Sequence, residues 1–290
     1  IRPAAGTWSG SIGLDGGRAG VERATADAAF KDLAFADASG LHAGEKIAGR
    51  VRGEASRSGT GWQWRGVADW ESGEIFWQPL YFARGGHRFA GQGSLESGVL
   101  RVGQGSLRLA GVGEAQLSGA WDTAGRGLAD FDLKAAGLDV AGLYPILLQP
   151  FLEKTSFAKL QARGGADLAW RYRDGSTTGF DLSLRAAEFI DEEQRFALHG
   201  VDARIPWSNT EERQAEIGFQ SGEVLHLALG EVSVPLTMKG WQFSTSDVSI
   251  PLLDGRLNID GFTASRNDGA WQALQMAQSL KANASEAERD

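Results

Sequence analysis

The chain has 290 residues, room for one large domain or two ordinary ones, and a formal net charge of −8. Forty glycines without a G-X-Y period exclude collagen, and 42% apolar residues with ten tryptophans are too rich for disorder. The negative charge, with arginines scattered singly beside Asp and Glu, argues against a nucleic-acid surface, and the absence of cysteine removes disulfides, thiolate metal sites and a cysteine nucleophile.

What remains is a turn-dense, mainly β chain, and alternation of apolar and polar residues recurs along it. "GWQWRGVADW" (61–70) places Trp62, Trp64 and Trp70 on one side of a strand and Gln63, Arg65 and Asp69 on the other. In "GQGSLESGVLRVGQGSLRLAGVG" (91–113) the pentapeptide GQGSL occurs twice, and Leu107 and Leu109 alternate with Ser106 and Arg108. A phosphate loop would need a third glycine and a following helix; Glu96 and Arg108 stand where that glycine should be, so these glycines turn and bend strands.

Residues 138–160, "LDVAGLYPILLQPFLEKTSFAKL", break the pattern with a helical stripe that Pro145 and Pro150 limit to short pieces near 140–153. Alternation then resumes, with Leu168, Trp170 and Tyr172 against Arg171 and Arg173, and Phe180, Leu182 and Leu184 against Asp181, Ser183 and Arg185. "EVLHLALGEVSVPLTMKG" (223–240) reads as strand that is apolar on both faces: Leu225, Leu227 and Leu229 point opposite to Val224 and Ala228, with His226 a structural histidine among them. Residues 269–290 start as a helix, expected near 269–284, and end as a charged tail. Turn signals such as "ARGGH", "RDGS" and "LDGRL", spaced about ten to twelve residues apart, fit a meander of antiparallel strands.

Motifs for chemistry are missing. There is no G-x-S-x-G, no Walker loop, no H-E-x-x-H and no EF-hand loop. The acidic runs "DEEQ" (191–194) and "EER" (211–213) read as solvated hairpin tips, and the tryptophans as sheet packing in preference to a carbohydrate-stacking face. No catalytic residue, metal ligand or cofactor is expected. The longest apolar run, "LYPILLQPFL", has ten residues and two prolines, far short of the roughly 20 needed to span a bilayer. The chain opens at Ile1 with no visible signal peptide, and the expectation is one extended β fragment of a longer protein, with a possible subdivision into 1–138 and 139–290.

The order "GEVLHLALGEVSVPLTMKGWQFSTSDVSIPLLDGRLNIDGFTAS" (222–265), a glycine-punctuated strand pair followed by an apolar strand running through Pro251 into an Asp254-Gly255 turn, resembles the AsmA-like superfamily of Gram-negative envelope proteins, most closely its YdbH and TamB-type branch. The helical interruption at 138–175 and the glycine-rich ladder at 91–121 agree, and the likeness extends over most of residues 45–265.

The resemblance implies a long, strongly curved antiparallel sheet, a taco-like groove or open half-barrel with an apolar inner face. It further implies a periplasmic, non-enzymatic segment that binds or conducts phospholipid, anchored to the inner membrane by a segment outside this chain. The groove candidates are Trp62, Trp64, Leu107, Leu109, Leu168, Trp170, Tyr172, Phe180, Leu182, Leu184, Leu225, Leu227, Leu229, Val248 and Ile250. Two rival readings are an envelope assembly factor that templates partner strands along an exposed sheet edge, and a carbohydrate-binding module.

Overall fold

A computed structural model describes residues 2–18, 20–78, 80–125, 127–149, 159–252, 255–267 and 270–276. The protein is mainly β, antiparallel throughout its assigned pairings, with very little helix. It divides into two compact units, Ile1–Ala158 with Arg171–Ser176, and Lys159–Trp170 with Thr177–Asp290. Among the described residues no helix is long and apolar enough to cross a membrane.

The first unit is a meander: β1 (Arg2–Gly17), β2 (Gly20–Ala36), β3 (His42–Ser58), β4 (Gly61–Trp77), β5 (Leu80–Phe82), β6 (His87–Glu96), β7 (Val99–Leu109), β8 (Gly113–Asp122) and β9 (Gly127–Asp139). Each pairs with the next, except that β4 pairs with β5 over its last residues and with β6 over residues 62–70. The turns follow from residue chemistry. Ser97 and Gly98, both at positive φ, join β6 to β7 with the backbone twist that hairpins favour. The "RDGS" signal does the same at Asp174 and Gly175.

The first four strands are 16–17 residues long, roughly 50 Å, and bulges interrupt their ladders near Gly6, Asp32, Lys46 and Gly73. Glycine is required at the last of these: φ is +98°, and a Cβ there would lie 2.5 Å from Ile47 Cα. The expected helical segment is present as α1 (Val140–Leu143), capped by Asp139 Oδ1, which accepts from the Ala141 N–H at 2.9 Å, and continues as a π-helical turn, Tyr144–Leu148. Residues 150–153 of the expected segment lie outside the described residues. Ile47, Val112, Leu138, Val140 and Tyr144 are the buried apolar residues of this end of the unit.

The second unit takes residues 160–170 of β10 (Leu160–Arg173), then β11 (Ser176–Asp191), β12 (Phe196–Ser208), β13 (Glu212–Phe219), β14 (Ser221–Val224), β15 (Leu227–Leu229), β16 (Val232–Lys239), β17 (Gln242–Thr245), β18 (Val248–Leu252), β19 (Gly255–Ile259), β20 (Phe262–Asn267) and β21 (Ala270–Met276). Strand β12 pairs with β11 on one edge and with both β13 and β14 on the other. From that fork one ladder continues through β16, β17, β20 and β21 and the other through β15, β18 and β19. Its core is Trp207, Ala215 and Met238, packed by Phe180, Ile205, Leu236 and Phe243. The Trp207 indole N–H donates to the Gly240 carbonyl at 2.6 Å, so the largest core side chain is also satisfied.

Three expectations need correction. Residues 270–276, read as the start of a helix, form β21, paired antiparallel with β20; residues 269 and 277–284 lie outside the description. The apolar run 223–229 is a hairpin, not one strand: Leu225 and His226 are its two-residue turn, at φ +49° and +67°. Pairing then puts Leu227 on the face of Val224 and Leu229 on that of Gly222. Further on, Val232, Val234, Leu236 and Met238 alternate with Ser233, Pro235 and Thr237, so β16 buries one face only.

Candidate functional site

Directly opposed residues in an antiparallel ladder share a face of the sheet. In the first unit this rule turns the register into rows that cross the strands. One row runs Ala28, Val51, Ala68, Phe89, Leu107, Ala115 from β2 to β8. The next runs Ile12, Ala26, Gly53, Gly66, Gly91, Gly105 from β1 to β7, ending on Leu117 and Leu133 of β8 and β9. A third runs Leu14, Ala24, Ala55, Trp64, Gly93, Val102. Every position in the three rows is apolar or glycine, and the rows lie on one face.

The reverse face is charged. Arg50 donates to Asp27 at 2.7 and 2.5 Å, Arg88 to Asp69 at 2.7 Å, and Arg65 pairs with Glu54 at 2.6 Å. These pairs are solvent-exposed, so each contributes little to stability and the ladder serves mainly to keep that face wet. The first unit is thus a sheet with one polar and one apolar side.

The apolar side is open over β1 and at Val51, whereas His87, Gly105 and Ala115, on the same face toward β8, are buried. Trp8, Ile12 and Leu14 are 73%, 69% and 63% exposed, and Val51 is 42% exposed. Between the rows lies a concavity of about 390 Å³ whose floor is Gly53 and Gly66, with Val51, Ala68 and Phe89 on one flank and Ala55 and Trp64 on the other. A Cβ at Gly53 or Gly66 would meet only backbone, at 3.3 and 3.2 Å. At Gly91 the Phe89 ring already fills that space, 2.7 Å from where a Cβ would sit, and the Trp64 ring lies just beyond. The furrow is therefore open over β3 and β4 and closed by rings over β6. A larger concavity, about 650 Å³, occupies the polar face beside Arg52, Arg65, Gln92 and Gln104. Its walls mix those charged and amide side chains with Val67, Ala90 and glycine.

Of the residues expected to line a groove, Trp62, Trp64, Leu107 and Leu109 lie on the apolar face, the tryptophans toward its Leu95 end and the leucines toward its His87 end. Tyr172 is half-buried in the same unit. In the second unit Phe180, Leu182 and Leu184 oppose Trp207, Ile205 and Ala203, and the Phe180 ring stacks on Trp207 at 5.4 Å, packed against that unit's core. Val248 is buried, Ile250 half-buried opposite Leu257, Leu168 half-buried, and Trp170 donates to Thr177 Oγ1 at 3.1 Å. Leu225 stands exposed at its turn, and Leu227 and Leu229 follow in β15.

Sequence reasoning passed over Trp8, Ile12, Leu14 and Phe89 and the alanines between them. Alternation of Trp8, Ile12 and Leu14 with Ser9, Ser11 and Asp15 was the available signal; alanine and glycine carry too weak a hydrophobic signature to mark a face alone.

The histidines also redistribute. His226, expected to be structural, is an exposed turn residue within 3.1 Å of Glu223 Oε1. His87 is the buried one: Nδ1 accepts from the Ala110 N–H at 3.1 Å, so Nε2 carries the proton and donates to the Arg84 carbonyl at 2.8 Å. Burial lowers its pKa. The "DEEQ" run is a hairpin tip in which Asp191, buried, accepts from the Arg195 side chain at 2.7 and 2.8 Å and from its N–H at 3.1 Å. Those bonds hold its carboxyl at about 2. Among the described residues no group of three His, Asp or Glu side chains converges as a metal site.

The chain matches no protein-family model, no curated protein and no solved structure.

Proposed function

We propose that this chain is a non-enzymatic lipid-binding or lipid-conducting segment of a bacterial envelope protein. It holds phospholipid acyl chains against the apolar face of its first unit while headgroups stay in water. The observation that carries the reading is that face: three adjacent rows of apolar and glycine residues, exposed at Ile12, Leu14 and Val51, backed by a charged reverse side. A soluble monomer rarely exposes a contiguous apolar surface beyond a few hundred Å² unless something binds there.

The energetics suit an acyl chain. Each methylene removed from water contributes about 0.8 kcal/mol, so a chain lying along the rows needs no polar contact to be held. The bulges and glycines of β1–β4 provide the local twist by which the sheet would curve into the trough that the AsmA-like resemblance implies. In that arrangement the chain works in the periplasm, tethered to the inner membrane by a segment outside it, with no cofactor.

Purification without detergent, followed by native mass spectrometry and lipid extraction, tests the reading. Phospholipid bound in near-stoichiometric amount is the expected result. Repeated preparations of folded protein that carry no lipid, and that take none up from phospholipid vesicles, would overturn it.

A further inference from the structure

Gly53, Gly66, Gly91 and Gly105 stand directly opposite one another on β3, β4, β6 and β7. Among the described residues no side chain comes within 4 Å of where a Cβ would sit at Gly53 or Gly66, and the nearest atoms are backbone. At Gly91 two rings arrive together. Phe89, two residues back on β6, brings its Cζ to 2.7 Å from that position, and Trp64, from the opposite flank of the furrow, brings its Cη2 to 3.4 Å. At Gly105 the same space is taken by Leu117 and Val102, at 2.8 and 3.1 Å. The furrow thus ends on a wall of two rings, with aliphatic packing behind it.

A ring laid over a glycine shields that glycine's backbone, and shielding alone would account for Phe89. Two observations ask for more. Gly53 and Gly66, in the same row, are left uncovered, while two rings converge on Gly91 where one would suffice. The Trp64 indole N–H, moreover, is cut off from solvent and has no hydrogen-bond partner among the described residues, which destabilises the free chain. Departures from local rules that bring no local gain gather at functional sites.

We propose that Phe89 and Trp64 form the end stop for a single acyl chain, whose terminal methyl rests against the rings while the rest of the chain runs back over Gly66 and Gly53. The proposal rests on the lipid reading and adds to it where the chain ends and which residues fix its length. The flanking side chains stand two residues to either side of the glycine floor, about 7 Å away, so the furrow is one glycine wide and takes one chain. The wall presents ring carbon to the furrow, Phe89 Cζ and Trp64 Cη2. The ligand end that meets it is therefore the apolar tail, and the headgroup lies at the other end.

Removing the Phe89 ring lengthens the furrow by one strand spacing, about 4.8 Å, as far as Leu117. Each methylene taken out of water tightens binding about fourfold, and methylenes beyond the stop add nothing. Lysophosphatidylcholines with lauroyl to stearoyl chains, titrated below their micelle-forming concentrations, should therefore bind the native protein more tightly with length and then level off. In Phe89→Ala the levelling should move to longer chains, with a gain of about tenfold for the longest. A second measurement leaves Phe89 in place. A chain brominated near its terminal methyl should quench the native tryptophan fluorescence more than one brominated beside its ester, and Trp64→Phe, which keeps a ring at the wall, should remove most of that difference. The same length dependence in native and Phe89→Ala proteins, or a quenching difference that Trp64→Phe leaves intact, overturns the stop while the lipid reading stands. Failure of the native protein to bind any of these chains overturns both.

Discussion

Buried polar side chains report the cost of leaving water most directly, and His87 is the clearest case. It stands 6% exposed between the Trp70 and Phe82 rings, with centroids 4.8 and 5.5 Å away, and both ring nitrogens are used by backbone groups. Protonation would add a second donor where Ala110 already presents its N–H, and would place a charge in an apolar setting. Its folded pKa therefore lies below the unfolded value of about 6.5, and the unfolded chain binds the extra proton first as pH falls. The stabilisation is complete above about pH 6.5 and declines as pH drops from there through the folded pKa. Thermal denaturation between pH 7.5 and 5 should show this loss, and His87→Gln should show a smaller one. The same substitution should lower stability at pH 7.5 by about 1–3 kcal/mol, because one backbone group loses its partner. A pH dependence identical in both proteins would place the titration elsewhere.

Among the elements, those with strong alternation were legible in the sequence and those decided by a turn were not. "GWQWRGVADW" showed its two faces because tryptophan against arginine is a large contrast, and the pairing of β4 with β3 and β6 preserves that period over residues 62–70. The broken pieces near 140–148 were legible through Pro145, which cannot continue an ordinary α-helical ladder. The hairpin at 224–227 was hidden because Leu225 and His226 lack the Asn-Gly or Asp-Gly chemistry that marks a two-residue turn, although both adopt positive φ. Likewise 270–276 carries spacing compatible with a helix, and only pairing with β20 decides for a strand. The turn yields its own prediction. Two non-glycine residues in the left-handed region cost about 1–2 kcal/mol each. Replacing Leu225–His226 by Asn–Gly should raise the stability of the second unit by about 1–2 kcal/mol, measured by urea unfolding with an unchanged slope. A destabilised double variant would mean that the exposed Leu225 makes contacts worth more than the strain.

At the scale of the molecule the two units use the same strand chemistry to different ends. The second turns its alternating face inward, where Trp207 and Met238 are almost wholly buried, so its apolar residues are spent on its own core. The first leaves that face open over β1 and at Val51, and many of its positions are alanine or glycine, which keep the surface shallow where a linear apolar ligand would lie. That contrast separates a binding surface from a folding core by substitution. Val51→Asp puts a carboxylate in the middle of the apolar face, where water still reaches it in the free protein, so stability should change by less than about 1 kcal/mol. A bound acyl chain would bury that carboxylate without a partner, a cost of several kcal/mol, so lipid affinity should fall at least about tenfold. Ala29→Asp, exposed on the reverse face opposite Arg50, adds the same charge and should leave both quantities near native values. Fluorescent-phospholipid titration of the two variants checks the pair together. Equal affinities would mean that lipid, if bound, lies elsewhere. A Val51→Asp protein that fails to fold would mean that the face is packed after all, since only a covered side chain makes an exposed-strand aspartate that costly.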